Sequence, residues 1–211
     1  MKMQKEIVLP PELAAQLAEL YETMEADYDR VAQKIGQTCT GCPDNCCDSY
    51  FLHYTYTEWA YLWDGLRSLD HDSFAEILNC SKQYVDASQT VLARGDRPQL
   101  MCPLNEKGLC KLYTHRLMIC RLHGIPATMT RPDGQLLRFP GCFRCQEIVA
   151  KKFDREEDAP AMNRTQLLHK VAAIESELLD GKRHLFPKVR RTIAEIIVDG
   201  PPRVDKPFCE K

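Results

Sequence analysis

The segment PELAAQLAELYETMEADYDRVAQKIGQTCTGCPDNCC, residues 11–47, carries two messages in one run. Its first part is periodic. Leu13, Leu17, Leu20, Met24, Val31 and Ile35 recur at three- and four-residue steps, which is one stripe of a helix of about seven turns. Pro11 suits the first turn of that helix and Gly36 suits its stop. The second part, Cys39-Thr-Gly-Cys42-Pro-Asp-Asn-Cys46-Cys47, is a compact loop. A long helix feeding a cysteine loop sets the expectation for the rest of the chain.

Working outward, SYFLHYT reads as a short extended stretch. Thr55 and Glu58 have the spacing of a capping box ahead of TEWAYLWDGL. Ser73 and Glu76 repeat that spacing ahead of FAEILNCSKQYVDASQTVL, and Gly95 and Pro98 end that helix. Residues 99–124 are mostly irregular, with a short helix expected over 114–120. IPATMTRPDGQLLRF reads as a hairpin, with Pro132, Asp133 and Gly134 supplying the turn. Cys142 and Cys145 open the helix CQEIVAKKF.

After an acidic, turn-prone stretch, Asn163 and Gln166 cap NRTQLLHKVAAIESELLDG. Leu167, Leu168, Val171, Ile174, Leu178 and Leu179 form its apolar stripe. Pro187 is expected to start a last helix, PKVRRTIAEIIVDG, with Lys188, Arg190 and Arg191 on a solvated face, and the tail PPRVDKPFCEK to be irregular. The fold class expected is mainly α: a single domain over residues 1–211, with packing helices at 1–35 and 160–200. They would surround an irregular cysteine-rich metal-binding core at 36–148 with one small β-hairpin.

The bulk numbers exclude several classes. Hydrophobic residues make up 44% and charged residues 27% of the 211, an ordinary globular profile. A net charge of −2, without a run of like charges, argues against a nucleic-acid partner. No window approaches 18 uninterrupted apolar residues, so no membrane span is expected. The start MKMQKEIVLPPEL lacks the apolar run of a secretory signal, and a cytoplasmic setting is expected. There is no P-loop, G-x-G-x-x-G, HExxH or G-x-S-x-G motif.

Cysteine usage is the chemical signal. Of 11 cysteines, all but Cys209 lie between Cys39 and Cys145. In a reducing compartment such a pattern reads as metal ligands before disulfides. The C-x2-C loop Cys39–Cys42 brings two sulfurs to one side of a turn, and Gly41 gives that turn backbone freedom. Cys46 and Cys47 follow, and adjacent side chains diverge, so the pair can face different metals or place one sulfur behind the other. Cys102, Cys110 and Cys120 come next, then Cys142 and Cys145. Crowded thiolates repel unless a cation neutralises them, which is the physical ground for expecting metal. Zinc and iron–sulfur clusters both suit such ligands. The C-x2-C-x3-C spacing differs from the ferredoxin run. Cys80, on a helix with Ile77, Tyr84 and Val85, reads as core, and Cys209 as incidental.

In this order the residues resemble the YkgJ-type cysteine-cluster family, described as zinc- or iron-chelating, with the pattern CxxCxxxCC. The matching parts are Cys39, Cys42, Cys46 and Cys47, then Cys102-Pro-Leu, Gly108-Leu-Cys110, Tyr113-Thr-His-Arg116, Cys120-Arg121 and Cys142. Leu117 stands where the family has proline, a change that bears on the turn before Cys120 and removes no ligand. Relatives of that family resemble flagellin lysine methylases, which pair a cluster with S-adenosylmethionine. The resemblance therefore implies an iron–sulfur cluster, 4Fe–4S in type, over zinc. It leaves redox or methyl-transfer chemistry open, with S-adenosylmethionine as cofactor by resemblance only.

Around the thiols, Tyr113, Arg116, Arg121 and His123 are candidates for supporting or substrate contacts. An arginine there can donate to sulfur or hold a carboxylate. His115 and His123 are the histidines nearest the later cysteines, and a structural state is the commoner one for each. Trp59, Tyr61 and Trp63 read first as core packing. The functional alternatives are an iron–sulfur protein acting on an unidentified protein or small molecule, a zinc-stabilised interaction module without catalysis, and a metal carrier or sensor.

Overall fold

The computed structural model of the chain describes residues 5–39, 42 and 46–204. It is mainly helical, with seven α-helices among the described residues. In order, these are α1 (Pro11–Ile35), α2 (Tyr56–Arg67), α3 (His71–Ala93), α4 (Met118–Leu122), α5 (Phe143–Lys152), α6 (Thr165–Leu178) and α7 (Ile193–Asp199). The strands are short: β1 (Lys5–Glu6), β2 (Asn105–Glu106), β3 (Leu109–Cys110), β4 (Ala127–Thr130), β5 (Leu136–Phe139), β6 (Met162–Asn163) and β7 (Arg203–Val204). None of the described helices is long and apolar enough to cross a membrane.

Two compact units result, each discontinuous in sequence. One comprises Met1–Ala14, Cys47–Leu117 and Ile174–Lys211, and the other Ala15–Cys46 and Met118–Ala173. In the first unit α3 packs on α7. Its core gathers Leu62, Trp63 and Leu66 of α2, Ile77 of α3, Ile196 and Ile197 of α7, and Leu104, Leu112 and Leu117 from the connecting chain. Each such fully buried side chain is worth about 1.5–3 kcal/mol of transfer free energy. Trp59 Nε1 donates to Gly200 O at 2.8 Å, Trp63 Nε1 to Ile196 O at 3.1 Å and Tyr61 OH to Thr114 O at 3.1 Å, so the aromatic stripe is packing with its polar tips satisfied. Thr55 caps α2, accepting from Glu58 N at 3.1 Å.

In the second unit, α1 runs as the periodicity implies. Leu17, Leu20, Met24, Val31 and Ile35 are all buried. Gly36 adopts φ +78°, and Gln37 N donates back to Ala32 O at 2.9 Å, a Schellman stop that a β-carbon would strain. The hairpin forms with Ala127 opposite Phe139 and Thr130 opposite Leu136. β6 adds to β4 in parallel, giving the sheet order β5-β4-β6.

Four expectations need correction. The cap of α3 is Asp70, which accepts from Ser73 N at 2.9 Å, and Ser73 lies inside the helix. Residues 187–191 are not helical, because Arg191 pairs with His53 through His53 N to Arg191 O at 2.7 Å and Arg191 N to His53 O at 3.1 Å. The last helix starts only at Thr192, whose side chain and that of Glu195 form a full capping box. The C-terminal residues 160–200 therefore hold two helices separated by a 3-10 turn (Arg183–Leu185) and extended chain, and Arg191, outside any helix, pairs with Asp199 at 2.9 Å. The structure also has more β pairing than one hairpin. β2 pairs with β3, and β1 pairs with β7, which draws Arg203 and Val204 out of the irregular tail.

Candidate metal centre

The thiols divide between the two units. Cys39, Cys42, Cys46, Cys120, Cys142 and Cys145 belong to the second, and Cys47, Cys102 and Cys110 to the first. The boundary runs between the adjacent Cys46 and Cys47. Cys39 is exposed, Cys145 is buried, and the other seven are half-buried.

In the second unit, Cys142 is the N-cap of α5 and Cys145 sits one residue short of a turn later. Thiolates are favoured at such a position, where unpaired amides and the helix dipole point outward. Cys142 N donates to Gly124 O at 3.2 Å. That approach requires glycine at 141, where a β-carbon would stand 2.7 Å from the Gly124 carbonyl, with φ already at +87°. The end of α1 comes to the same place. Gln37 Nε2 lies 3.9 Å from Cys142 Sγ, and Lys152 Nζ donates to Ile35 O at 2.5 Å. Cys39, two residues past Gln37, has its Sγ 3.5 Å from the hydroxyl of Tyr28 on α1.

The electrostatics agree with this gathering. Burial raises the Tyr28 phenol well above its ordinary range, and the Cys39 hydrogen bond and the charges of Cys39, Cys142 and Cys46 add to the rise. Burial, with Cys142 and Cys39 adding, pushes the Cys145 thiol up to about 11. The buried Cys145 thiol therefore resists ionisation on its own, and sulfur donors fit zinc or iron. Among the described residues no three or more His, Cys, Asp or Glu side chains come together closely enough to hold one ion.

In the first unit, Cys102 N donates to Cys47 O at 2.9 Å, and Asn105 N donates to Cys102 O at 2.9 Å. This turn leads into β2–β3, where Cys110 stands opposite Asn105. Burial first, then the Cys102 charge, pushes the nearby Tyr84 phenol up to about 12. Leu117 is fully buried in the first unit's core, just ahead of α4 in the chain.

The other candidates scatter. Tyr113 is 49% exposed, and the Arg116 guanidinium lies 5.8 Å from its ring centre. The Arg121 side chain is only 7% exposed, 4.5 Å over the Tyr21 ring and 3.7 Å from a Glu25 carboxylate oxygen, which is a structural engagement. His123 is half-buried. His115 stacks at 4.6 Å on Tyr61, and its Nδ1 lies 3.0 Å from Thr114 Oγ1. Cys80 is exposed, which corrects its reading as core. Cys209 and Gly41 lie outside the described residues.

The readings of single residues missed Tyr28, which continues the α1 stripe between Met24 and Val31, and Gln37. They also missed Arg164, a buried guanidinium that donates to Leu122 O, the last residue of α4, and lies 5.3 Å from the Phe139 ring centre. Burial lowers its pKa to about 10. Compared with known proteins, the chain matches no family model, no curated protein and no solved structure.

Proposed function

We propose that this chain is a cysteine-ligated metal protein carrying an iron–sulfur cluster, with Cys39, Cys42, Cys46, Cys47, Cys102, Cys110, Cys120, Cys142 and Cys145 as its pool of ligands. One observation supports it above the others. The end of α1 touches both Cys39 and Cys142, 103 positions apart, through Tyr28 and through Gln37 just past its stop, in a unit that holds six of the nine thiols. A fold that needed cysteines only as small apolar residues would leave fewer of them half-exposed.

A cluster so held supplies one-electron transfer, or reductive activation of a bound cofactor. The chain's own residues would bind it, neutralise thiolate charge at the start of α5 and exclude water through the buried Cys145 side. Redox turnover, methyl transfer with S-adenosylmethionine and a cytoplasmic setting follow from the resemblance and the cysteine usage alone.

The test is anaerobic purification with iron, sulfide and zinc analysis and a visible spectrum. Brown protein with matched iron and sulfide, lost in Cys39→Ser and Cys142→Ser, supports the reading. Colourless protein with stoichiometric zinc sinks the iron–sulfur reading and favours a zinc-stabilised interaction module.

A further inference from the structure

We propose that Tyr28 is a positioning residue of this thiol nest, its phenol O–H donating a hydrogen bond to the Cys39 sulfur that ligates the metal; the inference rests on the reading above. The two residues are 11 apart, and the intervening chain includes the last turns of α1 and its Gly36 stop. The helix fixes where the phenol stands, and the Schellman turn returns the chain so that Cys39 reaches it. The separation from hydroxyl to sulfur is 3.5 Å. A tyrosine hydroxyl carries a proton to donate, and a metal-bound thiolate has only lone pairs to offer, so the phenol donates.

A second observation is independent of the cysteine. Gly124 has φ +122°, and a β-carbon there would stand 2.5 Å from the Tyr28 hydroxyl oxygen. The backbone ahead of the hairpin is thus shaped to leave room for the hydroxyl. The same Gly124 carbonyl accepts from Cys142 N. One glycine therefore admits the phenol with its side and fixes Cys142 with its carbonyl, so Tyr28 is placed against the backbone that holds a second ligand.

Hydrogen bonds to ligating sulfurs orient the ligand and tune its donor strength. Losing such a supporting contact typically costs 10- to 100-fold in metal affinity. The experiment compares wild-type protein with Tyr28→Phe, which keeps the ring and removes the donor. Each protein is stripped of metal and titrated anaerobically with cobalt(II) alone, followed by its thiolate-to-cobalt absorption and by release to a chelator. The variant should bind roughly 10- to 100-fold more weakly, with its charge-transfer band moved to longer wavelength. The band should move because an unbonded thiolate gives up its electrons more readily.

A purely structural role would lower the amplitude and leave the band in place, and that result overturns the inference. If Tyr28→Phe fails to fold, 3-fluorotyrosine placed at position 28 keeps the shape and strengthens the donor. It should move the band to shorter wavelength, and an unmoved band overturns the inference equally. A wild-type protein that takes up no cobalt, zinc or iron overturns the metal reading and this inference with it. A wild type that binds, beside a variant identical in affinity and spectrum, overturns the inference alone.

Discussion

His53 is 2% exposed and its Nε2 has no hydrogen-bond partner among the described residues, while its backbone pairs with Arg191 on both sides. Burial pushes its pKa down to about 3, against 6.5 for a free histidine. The folded chain therefore holds it neutral while the unfolded chain protonates it below pH 6.5. Its contribution to stability is complete above that value and is lost as the pH falls through the window from 6.5 towards 3. Between pH 7.5 and 5.5 the loss should be about 1.4 kcal/mol. Urea unfolding in the presence of chelator checks this, since acid release of metal then makes no contribution. His53→Gln should flatten the slope, and a slope unchanged in that variant would refute the assignment. Glu175 is a second residue whose value is local. Its carboxylate accepts from Tyr56 N at 3.0 Å, Thr57 N at 2.8 Å and Thr57 Oγ1 at 2.8 Å, with Arg183 3.2 Å away. It caps the start of α2 from α6. Glu175→Ala leaves two buried amides unsatisfied, and we expect a loss of about 3 kcal/mol in equilibrium denaturation, well beyond a surface substitution.

At the scale of elements, the capping boxes make a paired comparison. Thr192 N donates to Glu195 Oε2 at 2.7 Å, and Glu195 N donates to Thr192 Oγ1 at 3.2 Å. Thr192→Ala should cost about 1 kcal/mol by thermal melting, and Lys188→Ala, in the extended run before it, should cost close to nothing. If the helix began at Pro187, Thr192 would lie inside it and Thr192→Ala would cost nothing, since alanine is the better helix former. The T-x-x-E signal was present in the sequence at 192–195, but Pro187 masked it, since proline also marks a first turn. What decided between them was the pairing of Arg191 with His53, 138 positions away, and no local pattern reports a contact of that range. The same reason explains what else was legible. α1 and the β4–β5 hairpin rest on local periodicity and turn chemistry, and both are found within a residue or two of where the sequence places them. The strands β1, β6 and β7 are two residues each, too short to carry a period, and exist only through distant partners. For the candidate centre, the concentration of nine cysteines between positions 39 and 145, with Cys80 apart, was legible in the sequence. Their division into two sets was not, and neither was Tyr28, because a tyrosine on an apolar stripe reads as packing until a sulfur is found beside it.

The molecule as a whole places this chemistry unevenly. The first unit has a continuous apolar core through α2, α3 and α7, with Cys102 and Cys110 at its margin. The second holds Cys39, Cys42, Cys46, Cys120, Cys142 and Cys145, and Cys145 lies among its buried residues. Metal that binds only the folded state stabilises by mass action, by about 2.7 kcal/mol when free metal is 100 times its dissociation constant. Where no ion is bound, burial keeps the Cys145 thiol protonated, and a bound cation reverses that preference. The cost of losing metal should therefore fall on the elements that carry the ligands. Hydrogen exchange on loaded and chelator-treated protein tests this directly. Amides of α4, α5 and the last turn of α1 should lose protection by 10-fold or more, while those of α2, α3 and α7 should stay within about 2-fold, since their core is apolar and only Cys102 and Cys110, at its margin, belong to the ligand pool. Protection lost equally from both units would mean that the metal holds the whole chain together, in the manner of a structural zinc domain. Protection unchanged everywhere would mean that the thiol nest folds without its ion, and would leave the cysteines needing another explanation.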